Sequence, residues 1–297
     1  MRLTDWGWAL LVVLIWGVNF VVIHVGLVGV PPLLLGALRF LLVALPAVFL
    51  VPRPRIPFRW LLAYGLTISF GQFALLFSAM QVGMPAGVAS LVLQAQMIFT
   101  LLFGALLLGE RWQRHQPAAL GLATLGLLVL ASQQQAGGMS LAGFLLTLGA
   151  AASWGLGNIV TRRISQLGQV NLLGLVVWGA LVPPLPFLAA AYWLEGPTEM
   201  VNALSHLSWL SLLAILYLAL MATIVGYGLW GRLLQRYPVA QVAPLTLLVP
   251  VVGLLAARLL LDERLQGGQW VGIGLVLSGL LVNLFWPRWR LWLRRHG

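Results

Sequence analysis

Apolar residues in this chain are gathered into long runs and do not alternate with polar ones. Ten stretches dominated by Leu, Val, Ala, Gly, Phe and Trp cover roughly residues 6–28, 33–51, 60–80, 85–108, 117–133, 141–161, 171–194, 209–231, 238–261 and 270–286. A helix rises about 1.5 Å per residue, so about 20 apolar residues cross a hydrocarbon core of about 30 Å. The pattern predicts ten transmembrane helices joined by short connections. The longest connection, near 195–208, is too short for a soluble catalytic or DNA-binding domain. The first span follows Met1-Arg2 but is longer than a secretory apolar segment and lacks a small-residue cleavage site, so it is expected to stay as a helix.

The runs repeat. Residues 85–129 laid over 238–282 at an offset of 153 share sixteen identities in forty-five positions. Matches between leucines are cheap in such a composition. Pro85/Pro238, Glu110/Glu263, Arg111/Arg264, Gln113/Gln266, Gln116/Gln269, Gly121/Gly274 and Gly126/Gly279 are not. Each half then holds five spans, an odd number, so the second half enters the membrane reversed and Glu110 and Glu263 belong on opposite faces. The expected fold is an all-α integral membrane protein of ten helices in two inverted five-helix repeats, residues 1–136 and 137–297, the second with a basic tail. Inverted repeats place a substrate site near the midplane between the halves.

Composition agrees with a chain that lives in lipid: 61% of residues are hydrophobic, 8% are charged and the mean hydropathy is +0.98. A net charge of +11 would suggest nucleic acid in a soluble protein. Its distribution says otherwise. Arg2, the group Arg53, Arg55 and Arg59, then Arg111 and Arg114, Arg162 and Arg163, Arg232 and Arg236, and Arg288, Arg290, Arg294 and Arg295 fall at every second loop or terminus. Those faces are cytoplasmic by the positive-inside rule, which puts both termini inside. The alternate loops carry Glu195, Glu199, Asp262 and Glu263. The expected partners are the bilayer and a small solute, not nucleic acid, with a monomer or weak homodimer as the assembly. Cysteine is absent, and His24, His115, His206 and His296 have no close carboxylate or histidine in sequence, so neither a metal site nor a cofactor is expected.

Polar groups inside a span cost free energy unless they are paired or face water. With the spans drawn as above, none contains Asp, Glu or Lys, which argues against coupling through an intramembrane carboxylate. The spans do contain amides, hydroxyls and indoles. Trp16-Gly17-Val18-Asn19-Phe20 in the first span is answered by Trp154-Gly155-Leu156-Gly157-Asn158 in the sixth. Gln72 follows Ser69 in the third, Gln94 and Gln96 lie in the fourth, and Thr223 and Tyr227 in the eighth. Amides offer donors and acceptors together, which suits a solute carrying an ammonium and a carboxylate. The alternative for each is a hydrogen bond between packed helices. Gln94 and Gln96 are about 200° apart on an α-helix, so at most one is expected to face the path.

Arg39 lies seven residues into the second span. Its partner is a helix carbonyl, a lipid phosphate reached by snorkelling, or the carboxylate of a solute. Arg258 is expected to pair with Asp262 at i+4. Pro244 and Pro250 interrupt the ninth span and, with Pro85 on the fourth, mark expected bends and hinges. Gly268 and Gly272, with Gly149, Ser153 and Gly157, form small-residue ladders for close helix packing.

Taken together, the Trp16 to Phe20 opening, Met84-Pro85-Ala86-Gly87, the Leu-Gly-Glu-Arg ending at Arg111, Ala222-Thr223-Ile224-Val225-Gly226-Tyr227-Gly228 and the Leu-Asp-Glu-Arg ending at Arg264 resemble the drug/metabolite transporter superfamily and its EamA family over essentially the full length. Leu91-Val92-Leu93-Gln94-Ala95-Gln96 and Val242-Ala243-Pro244-Leu245 look like its O-acetylserine/cysteine exporter branch. The resemblance implies export of cysteine- or O-acetylserine-like solutes, threonine, methionine or aromatic amino acids across a bacterial inner membrane by alternating access. It also implies a cavity lined by helices one, three, four, six, eight and nine, which carries over to Trp16, Asn19, Gln72, Gln94, Trp154, Asn158 and Tyr227. A broad drug efflux protein or a passive channel is the alternative. An intramembrane enzyme would need a nucleophile with its base, and none is visible in the spans.

Overall fold

The computed structural model describes residues 1–133, 139–168 and 170–296, with side chains at all of these except 239, 240 and 287–296. The expected boundary at 136/137 and the side chains of Arg288, Arg290, Arg294 and Arg295 lie outside the described residues. Every regular element among the described residues is helical. In chain order the ten longest are α1 (Leu3–Leu27), α2 (Pro32–Ala47), α3 (Phe58–Gln81), α4 (Ala86–Leu108), α5 (Gln116–Ser132), α6 (Leu141–Ser165), α7 (Leu172–Leu194), α8 (Trp209–Arg236), α9 (Ala243–Leu260) and α10 (Gly267–His296). Eight are long and apolar enough to cross a membrane; α2 and α5 are shorter apolar helices.

Three stretches depart from the expected outline. The second run stops being helical at Ala47, one residue after Pro46, and turns before Pro52. The turn at 180–183 divides α7, where Pro183 and Pro184 remove consecutive amide donors. The connection near 195–208 holds a short helix, Pro197–Ser205, with no buried residue and with Val201 and Leu204 exposed. Exposed Tyr192, Trp193 and Trp209 flank it, the arrangement of a helix lying in a membrane interface.

Helix starts reveal how the two ends of the bundle are held. Pro31 and Pro85 precede α2 and α4 and cannot cap them with a side chain. Distant carboxylates do so. Leu33 and Leu34 amides donate to Glu195 at 2.6 and 3.2 Å, and Ala86 and Gly87 amides donate to Glu263 at 2.7 and 3.0 Å. An anion on free helix amides is favoured by hydrogen bonding and by the helix dipole together. The opposite end is joined by ion pairs, Arg162 to Glu110 at 2.6 Å and Arg236 to Asp5 at 2.9 Å. Glu263 therefore touches the first turn of α4 whereas Glu110 follows its last, and 23 helical residues put about 34 Å between those turns.

Small residues let the helices approach between these ends. The Cα of Gly17 on α1 lies against Val252 of α9, and Gly126 of α5 faces the backbone of Gly272 on α10. A Cβ at either site would clash, so glycine there is a packing requirement. The regular turns fail in two matched pairs. A π-helical segment runs through Gly65–Gly71 of α3 and Tyr217–Val225 of α8; a 3-10 segment occupies Leu93–Ala95 of α4 and Ala243–Leu247 at the start of α9. Adding the sequence offset of 153 to 65 and 93 gives 218 and 246, inside the second member of each pair.

Candidate substrate-binding cavity

These irregular segments surround a cavity of about 400 Å³. Its wall draws Trp16, Asn19 and Phe20 from α1, Arg39 from α2, Tyr64, Gln72, Phe73 and Leu76 from α3, and Ser90, Gln94 and Gln96 from α4. From the other half come Trp154, Asn158 and Thr161 of α6, Leu172 of α7, Ala222, Tyr227, Trp230 and Leu234 of α8, and Thr246 and Val249 of α9. All eight candidate residues, Trp16, Asn19, Arg39, Gln72, Gln94, Trp154, Asn158 and Tyr227, border this one space. Thr161, Leu172 and Leu234 lie within about a turn or two of the helix ends that carry Arg162 and Arg236, whereas Phe20, Leu76 and Ser90 mark its far limit. The cavity thus runs from the basic end, at Leu172 and Leu234, to within about a turn of the opposite end, at Ser90 and Leu76.

The π segment of α8 shapes one wall. Gly226 donates its amide to the Met221 carbonyl, five residues back, and leaves the Ala222 carbonyl to accept from Trp16 Nε1 at 3.0 Å. The Trp16 ring centroid lies 5.2 Å from Tyr227 and 5.5 Å from Trp230, forming an aromatic wall. Thr223 Oγ1 donates to the Leu218 carbonyl at 2.8 Å and accepts from Arg39 Nη2 at 3.0 Å. Leu220, which α-helical spacing would place on the same stripe, is 42% exposed, because the wider turn rotates it away.

The expectation that at most one of Gln94 and Gln96 faces the path is overturned, since both border the cavity. The 3-10 segment at Leu93–Ala95 advances about 120° per residue, so two residues end about 120° apart in place of about 160°. Gln96 Oε1 accepts from Asn158 Nδ2 at 2.7 Å, and the same Nδ2 donates to Thr100 Oγ1 at 3.0 Å. Asn158 is therefore tied across to α4 of the first half. Asn19 is buried, and among the described residues its Oδ1 has no partner, nor does Gln72 Oε1.

Arg39 is 2% exposed, which rules out snorkelling to lipid, and no helix carbonyl receives it among the described residues. Its guanidinium carbon sits 4.0 Å from the Phe73 ring centroid and 5.4 Å from that of Phe40. Its Nη2 donates to the Thr223 hydroxyl, and among the described residues its Nε and Nη1 find no acceptor. Arg258 pairs with Asp262 at 2.6 Å. Pro244 lies in the 3-10 segment and Pro250 inside α9, beside the wall residues Thr246 and Val249 without bordering the cavity themselves. Pro85 precedes α4, so the break in that helix at Leu93–Ala95 has no proline.

The spans were also drawn one residue too short for one carboxylate. Asp5 lies in the first turn of α1 with 0% exposure, accepting from Arg236 Nη1 at 2.9 Å and Tyr237 Oη at 2.6 Å. It is not among the residues of the cavity wall. Tyr64, Ser90, Thr161 and Thr246 were missed as wall residues. Each is a single polar group in an apolar run, without the paired spacing that drew attention to Asn19 and Asn158.

A bundle of long apolar helices around a largely apolar cavity set with a few amides, indoles and one arginine defines a multi-pass membrane protein of the kind that handles a small solute. The chain belongs to the EamA-like transporter family, whose model matches residues 6–132 and again 141–285. It is 53% identical over 284 residues to a probable amino-acid metabolite efflux pump of Escherichia coli K12, covering 95% of each chain. A probable amino-acid metabolite efflux pump of Salmonella typhimurium LT2 is also 53% identical, over 97% of each chain. One solved crystal structure shares the fold at a TM-score of 0.62 and 21% identity, over 98% of this chain and 99% of its own.

Proposed function

We propose that the protein is a secondary exporter of amino-acid metabolites, built of ten membrane-crossing helices in two inverted repeats, 1–136 and 137–297, that work by alternating access. The bilayer is a bacterial inner membrane with both termini in the cytoplasm. The observation that carries this reading is the cavity of about 400 Å³, large enough for an amino acid, walled by amides, indoles and one arginine. Its reach toward the arginine-rich end supports a state open to the cytoplasm, from which an exporter loads. Carboxylates on the amides of α2 and α4 hold the other end closed. The matched π and 3-10 segments support two related halves that exchange conformations, with Pro244 and Pro250 as hinge points in α9. Substrate sits among Trp16, Asn19, Gln72, Gln94, Trp154, Asn158 and Tyr227. The two efflux pumps at 53% identity support amino-acid metabolites as the cargo.

The test is counterflow in liposomes containing purified protein, screened with cysteine, O-acetylserine, threonine, methionine and aromatic amino acids, with and without a pH gradient. Saturable counterflow of at least one amino acid is expected, lowered about tenfold or more in Asn19→Ala, which removes a cavity amide. Flux that never saturates would make the protein a channel, and absence of amino-acid movement would remove the assignment.

A further inference from the structure

Among the described residues, Arg39 is the only charged side chain on the cavity wall. A guanidinium is always protonated, has five N–H donors and accepts nothing. Burying one without an anion is costly, and buried polar atoms without partners are uncommon enough to demand a reason. Among the described residues, four such atoms belong to side chains of this cavity's wall: the donors Arg39 Nε and Nη1, and the acceptors Asn19 Oδ1 and Gln72 Oε1. Thr223 Oγ1 occupies one of the two hydrogens on Nη2. Whichever it takes, the other forms, with Nε–H or with a hydrogen of Nη1, one complete two-donor edge of the kind that grips a carboxylate.

Resting on the exporter reading, we infer that Arg39 is the anchor for the α-carboxylate of the substrate, and that Asn19 Oδ1 and Gln72 Oε1 receive its α-ammonium. The donors and acceptors left over by the protein are complementary to a zwitterion and to little else. A carboxylate neutralises the lone cavity charge, whereas an amine brings a second positive charge against it. The guanidinium carbon lies over the Phe73 ring, 4.0 Å from its centroid. Cation–π contact with Phe73 and Phe40 holds the guanidinium. The side chain of the amino acid points to the aromatic wall of Trp16, Tyr227 and Trp230, which has no charge to impose a choice. The cavity therefore reads the amino-acid backbone strictly and the side chain loosely.

The experiment competes counterflow of each amino acid that the wild-type protein moves with that amino acid's own carboxamide, decarboxylated amine and N-acetyl derivative; for methionine these are methioninamide, 3-(methylthio)propylamine and N-acetylmethionine. The free amino acid is expected to compete about 100-fold better than the carboxamide or amine, the worth of two charge-assisted hydrogen bonds, and about tenfold better than the N-acetyl compound. Arg39→Gln should remove the preference for the carboxylate, and Arg39→Lys should restore part of it. A merely structural arginine would lower transport of all four compounds together and leave their ratio unchanged. Equal competition by amide and acid in the wild-type protein overturns the inference even if no Arg39 variant can be purified, while leaving the exporter reading intact. No counterflow of any amino acid by the wild-type protein overturns both.

Discussion

Residues 109–116 and 262–269 are the same sequence device used at two ends of the molecule, and they part company only beyond their own turns. Gly109 and Asp262 both adopt left-handed backbone, with φ of 66° and 51°. Glu110 and Glu263 amides then donate to the Gly104 and Ala257 carbonyls, each six residues back and each at 3.2 Å, closing α4 and α9 in the same way. Gln116 accepts the amide of Gln113 at 2.8 Å, and Gln269 that of Gln266 at 2.9 Å, opening α5 and α10 alike. The carboxylates differ. Glu263 lies on two helix amides of the other half; Glu110 meets the guanidinium of Arg162 in a pair whose side chains are 37% and 53% exposed. Local sequence sets the turn, and the partner surface decides whether the half-buried carboxylate clasps backbone amides or pairs with a guanidinium.

The comparison breaks most readily at Glu263. Glu263→Ala removes two charge-assisted bonds and leaves the Ala86 and Gly87 amides without an acceptor, at a cost of about 2–4 kcal/mol. The natural chain has no cysteine, so a single Phe20→Cys probe at the far limit of the cavity can report on the seal. Thermal melting in detergent should fall by several degrees, and an impermeant thiol reagent applied from the acidic end should label the probe faster in Glu263→Ala than with Glu263 intact. Unchanged melting and labelling would mean that the contact does not close this end.

Next in size is Arg236→Ala at the basic end. Asp5 would keep Tyr237 but lose its counter-ion while having 0% exposure. Because Arg236 is itself half-exposed, the expected loss is about 1–3 kcal/mol, below that of a fully buried pair. The double variant Asp5→Asn with Arg236→Ala should recover part of it, which a melting curve for each of the three proteins would decide.

These contacts also mark what the sequence could and could not convey. Helix positions were legible because lipid demands long apolar runs, and cavity residues because an amide in such a run needs a purpose. The offset of 153 even joined Gln113 with Gln266 and Gln116 with Gln269, which prove to make equivalent bonds. Asp5, Glu195 and Glu263 were not legible in this way. Their partners lie 231, 162 and 177 residues distant, and nothing about a lone carboxylate near a helix end says whether it will meet water or another helix. Gln96 was misplaced for a different reason: periodicity arguments assume uniform turns, and this residue sits beside a segment that abandons them.

Glu110→Gln is expected to have a smaller effect, within about 1 kcal/mol, because both members of the Arg162 pair are well solvated. What remains of it should vanish as salt is raised toward about 1 M, where the Debye length is about 3 Å. A loss as large as that of Glu263→Ala would erase the contrast between the two ends.

The smallest effect sharpens the contrast within the acidic end. Glu195 clasps α2 as Glu263 clasps α4, but desolvation by burial pushes its carboxyl above the ordinary value of 4.5, against the opposing pull of the Leu33 and Leu34 amides. A carboxyl raised in the folded protein binds its proton at a higher pH than the unfolded chain does. Its contribution to stability is therefore fully present below about 4.5 and is lost as pH rises through the elevated folded value. Measured as the melting temperature of the natural protein minus that of Glu195→Gln, the difference should decline between pH 4 and 8, by about 1–2 °C for a half-exposed group. A difference that instead grows with pH would show that the two amide bonds outweigh burial, and that Glu195 is an anionic clasp first.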